Sequence, residues 1–381
     1  MKYLHLITDD KFTDSTIDLF ETINQNNNIY LIFKASNEPL KYVQSNKITV
    51  TYSQPEYNQI LDSVFDLLIV HSLNPFHCKT LRNYNSNKLI FLITWGGDIY
   101  NEFVLAPKLF LPKTEMFILK NTNRGIKNKL SNIYGKFKLP FKRRQYRLVL
   151  QKIAFCSTII PLEFERLKSL PYFNAKQIHF NYNINVFLKE DERNLIRNEQ
   201  QILVGNSATY TNNHIDIFNI LSKIKLDNKK IIVPLSYGSD EIYKAAVINE
   251  GNKLFGSNFE PIVNFMPIQK YEELLARCEY AFFYFLRQQA MGNIITLIMQ
   301  GTKIYLSKNN VIYNYLTNIG IKVFSIEQLL EENKELIPLS NEDKINNQKI
   351  ILSEYGKDAI LQRARDACKL IDSYADIQKN S

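Results

Sequence analysis

The stretch EYAFFYFLRQQAMGNIITLIMQ (279–300) decides how the chain folds. From Tyr280 to Leu286 it is an unbroken apolar and aromatic run, without the alternation of a half-exposed strand. That is the pattern of a parallel strand covered on both faces. Arg287, Gln288 and Gln289 then break the run, and IITLIMQ resumes as an apolar helix after Gly292. Buried strand, polar turn and helix together make half of a βαβ unit.

The same pattern recurs outward in both directions. Before it lie QILVGNSA (201–208), KKIIVPLSYG (229–238) and PIVNFMPI (261–268), and after it TKIYLS (302–307) and IKVFS (321–325). The first half carries KYLHLIT (2–8), NIYLIFKA (28–35), KITVTY (47–52), FDLLIVHSL (65–73), KLIFLITWGGD (88–98) and IAFCSTII (153–160). With 381 residues there is chain for two domains. The strand series starts afresh at residue 201, after the charged stretch KEDERNLIRNEQ (189–200). This reading gives a first domain over 1–190, a second over 201–340 and C-terminal helices over 341–381.

Composition removes several classes of protein. Charged residues at 22% and hydrophobic ones at 45% describe an ordinary globular chain. Cys78, Cys156, Cys278 and Cys368 are widely spaced, which argues against a disulfide framework or a thiolate zinc site. The start, MKYLHLITDDKF, reads as a first strand and not as a signal peptide, and no run of 18 apolar residues occurs. The expectation is a cytoplasmic protein.

The net charge of +9 is not spread evenly. Residues 101–200 hold 19 basic and 8 acidic side chains, whereas 201–381 hold 20 of each. From Lys113 to Arg147 there are 11 basic residues and one acid, Glu115, interleaved with apolar positions such as Ile126, Leu130, Ile133 and Phe137. Such interleaving suits an anionic membrane surface. RNA is the rival partner for a basic patch, and a solvated basic helix face is the plain alternative.

Chemistry-bearing residues gather where strands end. Gly205-Asn206-Ser207 follow one strand, with Asn212 and His214 at the next helix, where a glycine turn and free N–H groups suit a phosphate. Tyr237-Gly238 close a second strand. Arg287, Gln288 and Gln289, with Gly292 in the following helix, supply guanidinium and amide donors for a diphosphate and sugar hydroxyls. Ordinary turns, helix caps and an Arg–acid pair are the alternatives. In the first half, Trp95-Gly96-Gly97-Asp98 and His71 offer two candidates for a base toward a hydroxyl. Asp98 would equally serve as a helix N-cap, and His71 could be a satisfied buried histidine. No Asp-x-Asp, GxxxxGK[ST] or GxGxxG is present, so neither a metal nor a cofactor is expected.

The segments ILVGNSATYTNNH (202–214), VPLSYG (233–238) and FFYFLRQQAMGNIITLIMQG (282–301), with HSLNP (71–75) and TWGGDIY (94–100), resemble the 4-acetamido-4,6-dideoxygalactose transferases of enterobacterial common antigen synthesis. The resemblance implies the glycosyltransferase B fold, two Rossmann-like doubly wound domains facing a cleft, with acceptor in the first domain and donor in the second. It implies a dTDP-sugar donor and an undecaprenyl-diphosphate-linked glycan acceptor, met at the cytoplasmic face of the inner membrane by a peripheral protein that binds no nucleic acid. Gly205, Asn206, Ser207, Asn212, His214, Tyr237, Arg287, Gln288, Gln289 and Gly292 fall on its motif positions. Ala290 stands where a glycine is expected, Asn293 where a hydroxyl residue is, and Gly97 where an alanine is. These departures leave the sugar open. A transferase with another nucleotide sugar for lipopolysaccharide or capsule, or an inactive RNA- or membrane-binding relative, are the alternatives.

Overall fold

The computed structural model describes residues 1–122, 139–180, 201–238, 240–331 and 335–380. The chain divides into two compact units: Met1–Pro107, Gly135–Val186 and Tyr355–Ser381 form one, and Lys108–Tyr134 with Phe187–Glu354 form the other.

The first unit is built on strands β1 (Tyr3–Leu6), β2 (Asn28–Phe33), β3 (Ile48–Thr51), β4 (Leu67–His71), β5 (Leu89–Ile93), β6 (Phe155–Ser157) and β7 (Lys176–Gln177). They lie side by side in the order β3-β2-β1-β4-β5-β6-β7, all parallel. The second unit carries β8 (Gln201–Val204), β9 (Ile231–Pro234), β10 (Phe259–Ile262), β11 (Cys278–Phe283), β12 (Lys303–Leu306) and β13 (Phe324–Ser325). Its order is β10-β9-β8-β11-β12-β13, also all parallel. Each sheet therefore reverses its winding once, between β1 and β4 in the first and between β8 and β11 in the second. The crevice beyond the carboxyl ends of such a pair is where open α/β sheets bind ligands.

Both cores follow from the continuous apolar runs. Leu4, Leu6, Leu67, Leu68, Val70 and Leu92 are buried in the first sheet, and Ile202, Leu203, Val204, Ala281, Phe282 and Phe283 in the second. The helix Lys357–Asn380 places Ile360, Ala364, Ala367 and Ile371 against Tyr3, Ile17 and Phe20 of the first unit. Their spacing of three or four residues is the apolar stripe of a helix laid on a sheet.

Three readings change. The strand expected at 261–268 lies at Phe259–Ile262, paired on one side only, with β9. Pro261 has no N–H to give and is tolerated there because β10 is an edge. The first domain does not run unbroken to residue 190. The helix Pro112–Thr122, from the basic segment, packs Phe117 on the second core. Asp216 caps it across the chain, accepting Lys113 N at 2.9 Å, Thr114 N at 2.9 Å and Thr114 Oγ1 at 2.7 Å. The short strand β7 had no counterpart in the sequence reading. The linker 189–200 and the stripe Ile126, Leu130, Ile133 and Phe137, with Lys127, Lys129 and Lys136, lie outside the described residues.

Candidate active site

In the second unit, two turns meet at the switch between β8 and β11. Gly205 N donates to Phe282 O at 3.0 Å, tying the end of β8 to its neighbour. Beyond it, Asn206 N donates to Asn212 Oδ1 at 3.1 Å, while Asn212 Nδ2 donates to Ser207 O at 2.9 Å and Ser207 Oγ at 3.0 Å. Asn212 is thus a buried staple that closes the Gly205–Ser207 turn on itself. Gln289 joins the two turns: its Nε2 donates to Asn206 Oδ1 at 2.7 Å, and its Oε1 accepts from Thr211 Oγ1 at 2.7 Å. With Gln289 Nε2 donating, the oxygen of Asn206 faces the glutamine, so the Asn206 amide nitrogen points away from it as a donor.

The helix Met291–Met299 starts here without a side-chain cap. Gln288 and Gln289 are buried and do not cap it, which removes the plain reading of the two glutamines. Uncapped N–H groups at a helix start favour an anion. Gly292 is in the first turn. Arg287 Nη1 donates to Gln288 O at 2.9 Å, and Asn310 Nδ2 holds the Arg287 and Phe285 carbonyls at 2.9 and 2.6 Å. Ala290 is left-handed at φ 59°, so a glycine at this position would be explained by backbone conformation and not by sugar contact.

Gly205 has a different reason from the one its sequence context suggests. Its φ is +68°, and a Cβ would stand 2.7 Å from His214 Nε2 and 2.9 Å from Asn212 Oδ1. Close approach is required by the protein's own side chains. His214 is buried, with Nδ1 3.2 Å from Tyr243 OH and burial pushing its pKa down to about 3, so it is a neutral packing group below the turn. Tyr237 is exposed beside this turn, where Ala208 N donates to Tyr237 O at 2.6 Å. Gly238 lies against the Ala208 backbone, where a Cβ would come within 2.9 Å. Asn213, which the sequence reading passed over, holds Leu111 N at 2.9 Å and donates to Tyr284 O at 2.9 Å. The only signal in the sequence was an Asn directly before a helix, the residue type that tolerates the left-handed φ of 53° found there.

In the first unit, Asp98 and His71 both sit at the carboxyl edge. Asp98 Oδ2 accepts Leu73 N at 2.8 Å and Oδ1 accepts Trp95 N at 2.9 Å. Its carboxylate therefore joins the loops after β4 and β5, and burial raises its pKa. His71 ends β4 and is buried, with Nε2 3.0 Å from Nδ1 of His5 on β1. The sequence reading missed His5, whose place inside an apolar strand gave no sign of a polar partner 66 residues away. Among the described residues no cluster of three or more His, Cys, Asp or Glu could hold a metal ion.

Two parallel α/β sheets in tandem, each with its polar turns at the carboxyl edge, are the glycosyltransferase B fold. The chain superposes on a trehalose-6-phosphate synthase from Burkholderia multivorans with a TM-score of 0.63 at 8% identity, covering 100% of each chain. It also superposes on Anabaena HepE in complex with UDP and glucose, with a TM-score of 0.62 at 9% identity, over 98% of this chain and 100% of that one. A third solved structure, titled trehalose-6-phosphate from E. coli bound with UDP-2-fluoro glucose, gives a TM-score of 0.60 at 10% identity over 98% and 99%. Residues 131–353, more than half of the chain, match the family described as 4-alpha-L-fucosyltransferase, glycosyl transferase group 56, and the protein belongs to that family of glycosyltransferases.

Proposed function

We propose that this glycosyltransferase moves a 4-acetamido-4,6-dideoxygalactose-like sugar from a dTDP-sugar to a polyprenyl-diphosphate-linked glycan in bacterial surface polysaccharide synthesis. The supporting observation is the knitted pair of turns at the β8–β11 switch. Asn206, Arg287 and the uncapped start of the helix Met291–Met299 offer donors for a diphosphate whose negative charge grows as the sugar leaves. Neighbours solved with UDP, UDP-glucose or a UDP-sugar analogue support a nucleotide-sugar donor. The acceptor falls to the first unit, where Asp98 and His71 are our candidates for meeting its hydroxyl. Thermal-shift titration with dTDP, UDP and GDP, followed by transfer assays on lipid-linked acceptors, tests the reading. dTDP is expected to stabilise the fold most, and transfer should survive excess EDTA. A preference for UDP would overturn the dTDP assignment, and activity restored only by Mn²⁺ or Mg²⁺ would overturn a metal-free diphosphate site.

Arg287→Ala is expected to weaken dTDP binding by about 1.5–3 kcal/mol, the range for a hydrogen bond to a charged group. Thymidine should lose little. Equal losses for both, measured by calorimetry, would assign Arg287 to the fold.

The membrane-surface reading of the segment 113–147 also belongs here. Among the described residues no helix is long and apolar enough to cross a membrane. On the helix 139–150, Tyr146, Val149 and Leu150 are buried while Phe141 and Leu148 are exposed beside Lys142, Arg143, Arg144 and Arg147. On the helix Pro112–Thr122, Met116 and Leu119 are exposed beside Lys113 and Lys120. Arg143 Nε also donates to Glu102 O at 2.9 Å and Arg147 lies 5.2 Å from the Tyr172 ring, so part of the charge serves the fold. Replacing Lys142, Arg143, Arg144 and Arg147 by Gln should release the protein from anionic vesicles, each cation contributing up to about 1 kcal/mol. Transfer to a short soluble acceptor should persist. Unchanged flotation with phosphatidylglycerol vesicles would remove the membrane role.

A further inference from the structure

β11 and β12 run side by side, so the turns that leave their carboxyl ends are neighbours at the edge of the second sheet. The turn after β12 closes at Asn310, which is fully buried. Asn310 N donates to Ser307 O at 3.0 Å. Ser307 Oγ donates to Glu327 Oε1 at 2.8 Å and Lys308 N to Glu327 Oε2 at 3.0 Å, which fastens this turn to the helix Ile326–Glu331. The Asn310 side chain serves two elements at once. Its Oδ1 accepts Ile312 N at 2.7 Å and caps the helix Val311–Asn318. Its Nδ2 donates to Phe285 O at 2.6 Å and to Arg287 O at 2.9 Å, both in the turn after β11. The partners fix which atom is which, because two carbonyls require the amide nitrogen and a backbone N–H requires the oxygen. Both amide protons are therefore spent on the neighbouring turn.

A helix cap needs only the oxygen, and serine or aspartate would supply it. The amide protons go instead to the turn that carries Arg287, Gln288 and Gln289. We propose that Asn310 is a positioning residue for donor binding, which holds the Phe285 and Arg287 carbonyls away from the nucleotide diphosphate and so presents the donors of the 287–289 turn to it. This rests on the reading of that turn as the diphosphate site. The described peptides are all trans, so the N–H of Gln288 points opposite to the Arg287 carbonyl that Asn310 holds. That N–H meets no acceptor among the described residues. Backbone N–H groups turned outward in this way attract an anion, whereas a carbonyl oxygen in the same place would repel it. Asn310 thus decides which end of the peptide faces the ligand without touching the ligand itself.

Asn310→Ser separates the two tasks, because serine caps a helix about as well as asparagine but is too short to reach the two carbonyls. Calorimetry on the full chain compares dTDP with thymidine, and UDP with uridine in case the base is different. Affinity for the diphosphate should fall roughly tenfold, as for the loss of one hydrogen bond to a charged group. Affinity for the nucleoside should hardly change, which also reports that the second unit is folded. In transfer assays the donor KM should rise with the acceptor KM unchanged. Asn310→Asp keeps the capping oxygen but sets a second oxygen against the carbonyls, so it should bind the diphosphate more weakly still. Unchanged diphosphate affinity in both variants, or equal losses for diphosphate and nucleoside, would overturn the proposal and leave Asn310 as a helix cap. A wild-type protein that binds neither diphosphate more tightly than its nucleoside would instead defeat the diphosphate site itself, and the positioning role with it.

Discussion

Gly205→Ala is expected to lower stability by about 2–5 kcal/mol and to abolish measurable nucleotide binding. A left-handed conformation costs an alanine about 1–2 kcal/mol, and Gly205 sits at φ +68°. The new methyl would stand 2.7 Å from His214 Nε2 and 2.9 Å from Asn212 Oδ1, and overpacking of this kind adds about 1–3 kcal/mol. Neither neighbour yields easily. His214 is held at Tyr243 OH, and Asn212 spans Asn206 N, Ser207 and Thr209. The turn would move, taking Asn206 away from Gln289. Removing the imidazole should relieve part of the strain, so Gly205→Ala and His214→Ala together should cost less than the sum of the two. Strictly additive losses in urea denaturation would show that His214 does not press on this glycine.

The second large effect is expected at Asp98, where it separates the base that the sequence suggested from the loop clamp that the structure shows. Asp98→Asn keeps the shape but can offer only one acceptor oxygen. Its amide nitrogen would then face the N–H of Leu73 or of Trp95, donor against donor, inside a buried site. One unsatisfied buried donor costs about 1–3 kcal/mol, more where the lost partner was charged. The melting temperature should therefore fall by about 5–10 °C, at the few degrees per kcal/mol usual for domains of this size. A residue acting only as base would instead lose roughly 10²–10⁴ in kcat with the melting temperature unmoved. An unshifted melting curve in Asp98→Asn would defeat the clamp and leave the base as the reading of this residue.

Much of the architecture was written in local sequence. Continuous apolar runs such as Tyr280–Leu286 can be covered only from both faces, so parallel sheets with helices between the strands follow from them. The polar turns after those runs marked the carboxyl edge, and Gly205–Ser207, Asn212 and Gln289 do meet there. Local sequence could not say why each residue is there. The glycine at 205 answers to His214 and Asn212 packed beneath it, and Ala290 sits in a left-handed turn that no helix or strand propensity announces. His5 and His71 look like isolated interruptions of apolar strands until β1 and β4 are laid side by side.

What the sequence by itself determined is the alternation of strand and helix, the two-part division of the strands, and the positions of the polar turns, because these depend on burial periods a few residues long. Tertiary structure alone decided the side-chain pairings across the sheets and the side of the divide to which a segment belongs. The helix Pro112–Thr122 arises among first-unit residues yet joins the second unit, because Asp216, 102 residues further on, satisfies the free N–H groups at its start. A helix end takes its acceptor from whatever the fold brings near, and no spacing along the chain records that choice.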